Sequence, residues 1–319
     1  MSVGTGGLRG RLATWYTFTR PFTLLPPAIG MISGGVTGWY AEGEALGPAW
    51  RVVANLILGA FMAAFLNAAS NAINQVYDLD VDRINKPDRM IPSGRMSVRE
   101  AHWVAWVLYA ISLALALAIN MQCFIIVVIA AALTIVYSMP PMRTKRWGLA
   151  ANLTIAVPRG LLLRLSGWST AKDIWFAEAW YIASIFFLFL LGAASTKDFT
   201  DMEGDREGGC ITLPIKYGVI KAAWMISPSF VIPFLLMPVG ANLALFTGGA
   251  AGDVLSGNRL LLSVFGVGLA AWGMYVNYLI LRDPEALATT ENHPSWTQMY
   301  LMMMVAQVAF IVAYMVPNA

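Results

Sequence analysis

The feature that most limits what this chain can fold into is a series of apolar stretches, each close to the roughly 20 residues a helix needs to cross the hydrocarbon of a bilayer. Nine such stretches run near 22–40, 51–76, 101–119, 121–138, 148–167, 174–197, 219–246, 260–281 and 295–317. Lipid offers no water to satisfy exposed backbone groups, so segments of this kind cross as helices. The expected class is therefore all-α, a multi-pass membrane protein of about nine transmembrane helices. Composition agrees: 58% of residues are hydrophobic and 12% charged, where a soluble domain carries roughly a quarter charged. The stretch 219–246 contains Pro228, Pro233 and Pro238, which predicts kinks. Little more than Asn120 separates the third and fourth stretches, which predicts a tight hairpin.

Loop charge sets the orientation. Sixteen Lys and Arg residues fall on the side that carries the N-terminus, three (Arg51, Lys172 and Arg259) on the other, and two, Arg159 and Arg164, inside a stretch. The positive-inside rule then makes the first side cytoplasmic. The N-terminus and the long acidic loops are expected in the cytoplasm, and the C-terminus on the outer side of the cell membrane. Residues 1–20 contain no signal-peptide core and are expected to be a mobile lead-in. The net charge of +3 is small and gives no support to a nucleic-acid partner.

Most of the acids lie in two loops. Asn74, Asp78 and Asp82 are spaced by four at the end of the second stretch, and Asn67 and Asn71 continue that stripe into the membrane. Such spacing predicts one helical face. Amides on a lipid-buried face are costly unless they line a polar cavity. At the end of the sixth stretch Asp198, Asp201 and Asp205 are spaced by three and four, with Lys197 alongside. Carboxylates one turn apart repel unless a cation sits between them. Hard oxygen ligands suit Mg²⁺, which binds through one or two carboxylates together with substrate phosphates. An acidic, solvated loop explains either cluster alone, but two at the same end of the protein point to a bound diphosphate. The nearby cations, Lys197, Arg83, Arg89, Arg143, Lys145 and Arg146, would neutralise it, although the patch at 143–146 also serves topology.

Arg159 and Arg164 are the charges within a span, and Pro158 and Gly160 beside them predict a broken helix lining a cavity. A buried acid or an anionic acceptor is the expected partner of at least one of them, with snorkelling to the surface as the alternative. Cys123 and Cys210 fall near opposite faces, which excludes a disulfide between them. His102 and His293 are isolated and expected at the surface.

The sequence resembles the UbiA superfamily of intramembrane prenyltransferases. The resemblance rests on Asn74-x-x-x-Asp78-x-x-x-Asp82, the run from Asp82 through Asn85-Lys86-Pro87-Asp88-Arg89 to Ser93-Gly94-Arg95, Tyr137-Ser138-x-Pro140-Pro141, and Lys197-Asp198-x-x-Asp201-x-x-Gly204-Asp205-Arg206. It extends over nearly the whole chain and implies a single domain over 1–319, with helices around a central cavity and both Asp motifs under cytoplasmic cap loops. It implies Mg²⁺ as cofactor, held by Asn74, Asp78, Asp82, Asp198, Asp201 and Asp205, and an isoprenoid diphosphate as donor. Asp78, Asp82, Asp201, Asp205 and Lys197 would be catalytic. Asn71, Asn74, Asp198, Arg83, Arg143, Lys145 and Tyr137 would bind the diphosphate, and Arg159 and Arg164 are acceptor candidates. The Asn85-to-Gly94 run looks like archaeal ether-lipid synthases and chlorophyll synthases. The acid at Asp201 is unlike the latter, and Tyr137 to Arg146 is closer to homogentisate-type enzymes.

The expected function is Mg²⁺-dependent transfer of a farnesyl, geranylgeranyl or longer chain to a lipid-soluble acceptor. That acceptor would be an aromatic or quinone precursor or geranylgeranylglyceryl phosphate. Two other readings use the same residues. A hydrolase or cyclase would act on the diphosphate without an acceptor, and a secondary transporter would use midplane charges such as Arg159. The position of the acids at helix ends argues against transport.

Overall fold

The computed structural model describes residues 8–291 and 293–318. Among them there is no β-strand, only an isolated parallel bridge between Trp147 and Ile211. A short helix α1 (Leu8–Phe18) leads through a 3₁₀ turn (Pro21–Leu24) into α2 (Leu25–Tyr40). Part of the expected mobile lead-in is thus ordered. Phe18 is buried, and Trp15 Nε1 donates to Glu100 at 2.7 Å. Residues 1–7 of that expectation lie outside the described residues.

The long α3 (Ala49–Tyr77) is followed by the short α4 (Leu79–Asn85), the hairpin α5 (Val98–Ile119) and α6 (Met121–Ser138), and a composite helix. The hairpin turns on Asn120, whose side chain caps α6 by accepting from Cys123 N at 2.8 Å. The composite helix joins α7 (Leu149–Ala156) to α8 (Leu163–Trp168) through a π-helical turn (Val157–Leu162). Pro158 lacks a backbone donor, which accounts for the break. Then come α9 (Ala177–Ala193), the short α10 (Met202–Glu207) and α11 (Leu213–Tyr217), and α12 (Val219–Ile226), α13 (Ile232–Ala241) and α14 (Leu243–Phe246). A 3₁₀ turn at Ser227–Phe230 interrupts this last run where Pro228 stands. The chain ends with α15 (Arg259–Leu281), α16 (Ala286–Thr289) and α17 (Pro294–Met315).

Among the described residues, seven helices are long and apolar enough to cross a membrane, against about nine expected spans. The other two expected spans are the 16-residue α2 and the composite α7–α8 helix. The first is short and the second is broken by the π turn, and the two pack closely against each other. Gly30, Gly34 and Gly38 repeat every four residues along one face of α2 and let α8 approach closely, as small residues do between membrane helices. A Cβ on Gly34 would sit 2.7 Å from the Arg164 carbonyl, and one on Gly167 would sit 2.6 Å from that of Met31.

A second contact of this kind seats the π turn on α9, where a Cβ on Gly160 would meet Phe187 Cα at 2.6 Å. Beyond it an aromatic core links α9, α13 and α17. Phe189 packs at 5.9 Å from Phe230 and 5.2 Å from Phe234, and Phe186 at 5.7 Å from Phe310. One end of the bundle is sealed by a buried polar knot. Glu178 accepts from Ser256 N at 2.6 Å and from the Tyr314 hydroxyl, while buried Lys172 donates to the carbonyls of Ala41 and Glu42. The acidic loops occupy the opposite end. Cys123 and Cys210 are both free. His293, expected at the surface, is buried and caps α17 through Ser295.

Candidate active site

A cavity of about 270 Å³ opens among the acidic loops and descends between α2, α3, α6, the composite helix, α9 and α17. Its mouth carries Asn71, Asn74, Asp78, Tyr137, Lys145, Lys197, Asp198, Asp201 and Asp205. Deeper, apolar side chains of α2, α3, α6, α9 and α17 line it, with Asn67, Ser70, Thr134, Arg159, Arg164, Ser166 and Gln307 among them.

Asp78 and Asp201 are each placed by a break in a helix. Asp78 stands between α3 and α4 with φ −101° and ψ 13°, so the single face expected for Asn74, Asp78 and Asp82 bends at its middle member. Asp78 turns to the cavity. Asn74 Nδ2 donates to it at 2.7 Å, Lys145 pairs with it, and Arg143 reaches it at 3.3 Å from behind. Asp82 does not line the cavity. It is buried, with Arg89 Nη1 2.6 Å from both of its oxygens. Burial raises its pKa, and Arg89 opposes that shift. Arg83, expected at the diphosphate, lies on the exposed side of α4 in an ion pair with Asp80, because a partner three residues away was available locally. Arg143 is also off the cavity wall, its Nη2 shared between the Tyr77 carbonyl and Asp78.

The second motif is built the same way. Asp201, with φ −95° and ψ 6°, precedes α10. Lys86 Nζ is 2.6 Å from both Asp201 oxygens, and Lys197 is 3.6 Å away. Burial alone would raise the pKa of Asp201, but Lys197, Lys86 and Arg89 outweigh it and hold the carboxyl below its usual value. Its neighbours differ. Burial, with the charge of Asp205 added, pushes Asp198 up to about 8. Burial and then Asp201 push Asp205 up to about 6. In the first motif Asn67 and Asn71 spend their amide donors on Thr23, tying the turn before α2 to α3 and leaving their oxygens for the cavity.

Asn85 joins the two motifs. Its Nδ2 donates to the Asp201 carbonyl at 3.0 Å, and its Oδ1 accepts from Gly204 N at 3.0 Å. Only a glycine fits at 204, since a Cβ would stand 2.6 Å from that same Oδ1. The loop after α6 is tied in where Ile211 N donates to the Arg146 carbonyl at 3.2 Å. Sequence reasoning gave no role to Asn85 and Lys86, or to Asn152 and Ser195, which meet at 2.6 Å on the cavity wall. The signal for the first two was their place directly after the first acidic motif.

The donor set fits Mg²⁺. Asp78, Asp198, Asp201, Asp205 and Asn74 offer hard oxygens to one space. Among the described residues no three acidic, His or Cys side chains converge tightly enough to hold an ion alone.

Comparison with known proteins points the same way. A digeranylgeranylglyceryl phosphate synthase of Metallosphaera sedula is 31% identical over 69% of this chain and 74% of its own length. The chloroplastic homogentisate solanesyltransferase of Arabidopsis thaliana is 34% identical over 67% of this chain and 56% of its own. The structure of a UbiA homologue from Archaeoglobus fulgidus, bound to GPP and Mg²⁺, superposes with a TM-score of 0.69, covering 95% of this chain and 100% of that one. At 22% identity this likeness concerns the fold. The UbiA prenyltransferase family pattern matches residues 35–292, and the chain, an integral membrane protein, belongs to that family.

Proposed function

We propose that this prenyltransferase transfers an isoprenoid chain from its diphosphate to a lipophilic acceptor, with the diphosphate bound between the two Asp motifs. The observation that carries the reading is the convergence of both motifs, with Lys145 and Lys197, on the mouth of one cavity whose deeper wall is mainly apolar. Asp78, Asp198, Asp201 and Asp205, with Asn74, would hold Mg²⁺. Bound there, it would neutralise the charge that develops on the diphosphate as the allylic C–O bond breaks.

The chain's own residues do the rest. Lys145 and Lys197 supply donors to the phosphate oxygens, and each already sits beside the acid it must share. Tyr137 and Asn74 orient the diphosphate from the α6 and α3 sides. Arg89 and Lys86 hold Asp82 and Asp201 in place. The C–O electron pair leaves with the diphosphate, the acceptor nucleophile bonds to the allylic carbon, and the acceptor's proton passes to water at the mouth. The acceptor lies along Arg159, which among the described residues makes no ion pair. The relatives' names suggest geranylgeranylglyceryl phosphate or an aromatic quinone precursor. Loop charge supports placing the mouth, the cap loops and the N-terminus in the cytoplasm and the C-terminus outside, with the whole chain acting as one domain.

Purified protein given labelled geranylgeranyl or farnesyl diphosphate and these acceptors should form prenylated product only with Mg²⁺. Asp78→Ala and Asp201→Ala should lose it. Full activity in either variant or in excess chelator defeats the proposal. Diphosphate release without prenylated product would instead favour a hydrolase.

A further inference from the structure

Arg20 has a backbone that its own sequence does not explain. It precedes Pro21, which favours extended torsions in the residue before it. Yet it stands at φ 56° and ψ 65°, in the left-handed region that residues other than glycine rarely enter. Its surroundings hold it there. The Arg20 carbonyl accepts from Thr23 N at 2.9 Å and from Thr23 Oγ1 at 2.8 Å. The amides of Asn67 and Asn71 donate to Thr23, each at 2.9 Å, so the turn is clamped to α3, the helix that carries the first acidic motif. This turn delivers the Arg20 side chain to the cavity wall. Torsions of this kind persist where the surrounding structure over-determines them, and they collect at ligand sites.

Arg159 lines the same cavity from the π turn, and although it lies within a span it is exposed. Among the described residues neither arginine makes an ion pair or a side-chain hydrogen bond. No nitrogen of Arg20 is both sealed and without a partner, as two of Arg164 are, so its donors are open and the deeper Arg164 is no part of the site. Burial lowers the pKa of Arg20, the charges of Arg89 and then Arg159 add to that shift, and Tyr300 opposes it. Arg20 thus has two cations as neighbours. Arg89 is spent on Asp82, whereas Arg159 is spent on nothing. Two unpaired guanidiniums in one cavity repel each other, and an anion between them removes that cost. The Tyr300 hydroxyl, also without a partner among the described residues, lines the cavity beside Trp296, their rings 4.8 Å apart.

The depth suits a reaction at the mouth. Asn71, which is bound to Thr23, stands three residues before Asn74 on α3, about 5 Å along the helix at 1.5 Å per residue. Asn74 in turn touches Asp78. The Arg20 turn is therefore fixed about one helical turn below the acidic motif. In homogentisate and in geranylgeranylglyceryl phosphate the acid lies only a few bonds from the carbon or hydroxyl that would be alkylated. An acid held at this level leaves that nucleophile beside the allylic carbon of a donor bound at the mouth.

Given the prenyl-transfer reading above, we propose that Arg20 and Arg159, with the Tyr300 hydroxyl, form the site that holds the carboxylate or phosphate of the acceptor just below the diphosphate. The two guanidiniums approach from different elements, the turn before α2 and the composite helix, and each offers the planar fork of donors that matches such an oxyanion. The site recognises the acid that both acceptors share.

The test is calorimetric binding to the intact chain in detergent, with Mg²⁺ and inorganic diphosphate filling the mouth. The probes are homogentisate and its methyl ester, and geranylgeranylglyceryl phosphate and geranylgeranylglycerol. At least one acid should bind, with its neutral counterpart about 10- to 100-fold weaker, the range of a charged hydrogen bond. Arg20→Gln and Arg159→Gln should each weaken that acid by a similar factor and leave its neutral counterpart unchanged, a selectivity that a merely structural role would not produce. Arg20→Lys, which keeps the charge but loses the fork, should fall between, and Tyr300→Phe should lose about 2- to 10-fold. Which acid binds identifies the source of the oxyanion. Mg²⁺-dependent binding of diphosphate should be equal in the wild type and all variants. Its absence from the wild type defeats the prenyl-transfer reading. The acceptor site alone fails if neither acid binds, if the neutral counterparts bind as tightly, or if the arginine variants bind the acid as the wild type does. It also fails if either arginine variant, at unchanged Tm, weakens diphosphate as much as the acid, which would assign these arginines to the donor.

Discussion

Asn85→Ala removes one side chain that touches neither the cavity nor, by the reading above, the substrate, yet it should weaken diphosphate binding. The side chain makes two hydrogen bonds of 3.0 Å to the second acidic loop, at the Asp201 carbonyl and at Gly204 N. Each is worth about 0.5–1.5 kcal/mol net. Asn85 is half-buried, so water partly replaces them, and a combined loss of about 1–2 kcal/mol corresponds to roughly 5- to 30-fold in the equilibrium that holds the two loops together. Isothermal titration of inorganic diphosphate at fixed Mg²⁺ should therefore show a Kd higher by about that factor, with a small change in Tm. Gly204→Ala attacks the same junction from the other side, because its Cβ would stand 2.6 Å from Asn85 Oδ1. Since both variants break one contact, the double variant should be no worse than the worse single one. Unchanged affinity in Asn85→Ala, or full additivity in the double variant, would refute the claim that this residue sets the distance between the motifs.

Asp198 and Asp205, raised to about 8 and about 6 by burial and by neighbouring acids, must lose protons to bind a metal. The apparent Mg²⁺ affinity should then climb with a slope of about one per pH unit between 6 and 8, and a flat profile would contradict it. The same raised values mean that the metal-free folded state binds more protons than the unfolded chain. Its Tm should fall as pH rises from about 4 to about 8, and Mg²⁺ with diphosphate should remove that trend. Arg83→Ala should change turnover less than twofold, as exposed ion pairs contribute little, and a large loss would put Arg83 back at the substrate. Gly167→Ala should cost about 1–3 kcal/mol through overpacking, because its Cβ would press on the Met31 carbonyl at 2.6 Å. Thermal unfolding should show it against Gly10→Ala, whose Cβ meets nothing within 4 Å.

What the sequence made legible was whatever depends on near neighbours. The apolar stretches, the hairpin at Asn120, the broken helices at Pro158 and Pro228 and the two acidic clusters are all set within a few turns of chain. What it hid depends on pairing at a distance. Asp78 and Asp82 have the same spacing and the same residue type, and nothing local says that one faces the cavity while the other is spent on Arg89. The first sits where α3 gives way to α4, and the bend turns the two carboxylates apart. Asp201 is claimed by Lys86 across 115 residues, a partner that lies within the first motif's own continuation yet gives no sign of its target. Arg164 shows the limit most clearly. A charge in an apolar stretch was visible at once, but only the folded chain shows that one nitrogen meets Gly30, 134 residues earlier, while two are buried without a partner. Acid spacing thus locates the mouth, and the helix breaks at Asp78 and Asp201, together with the cations delivered from other loops, decide how each acid is held there.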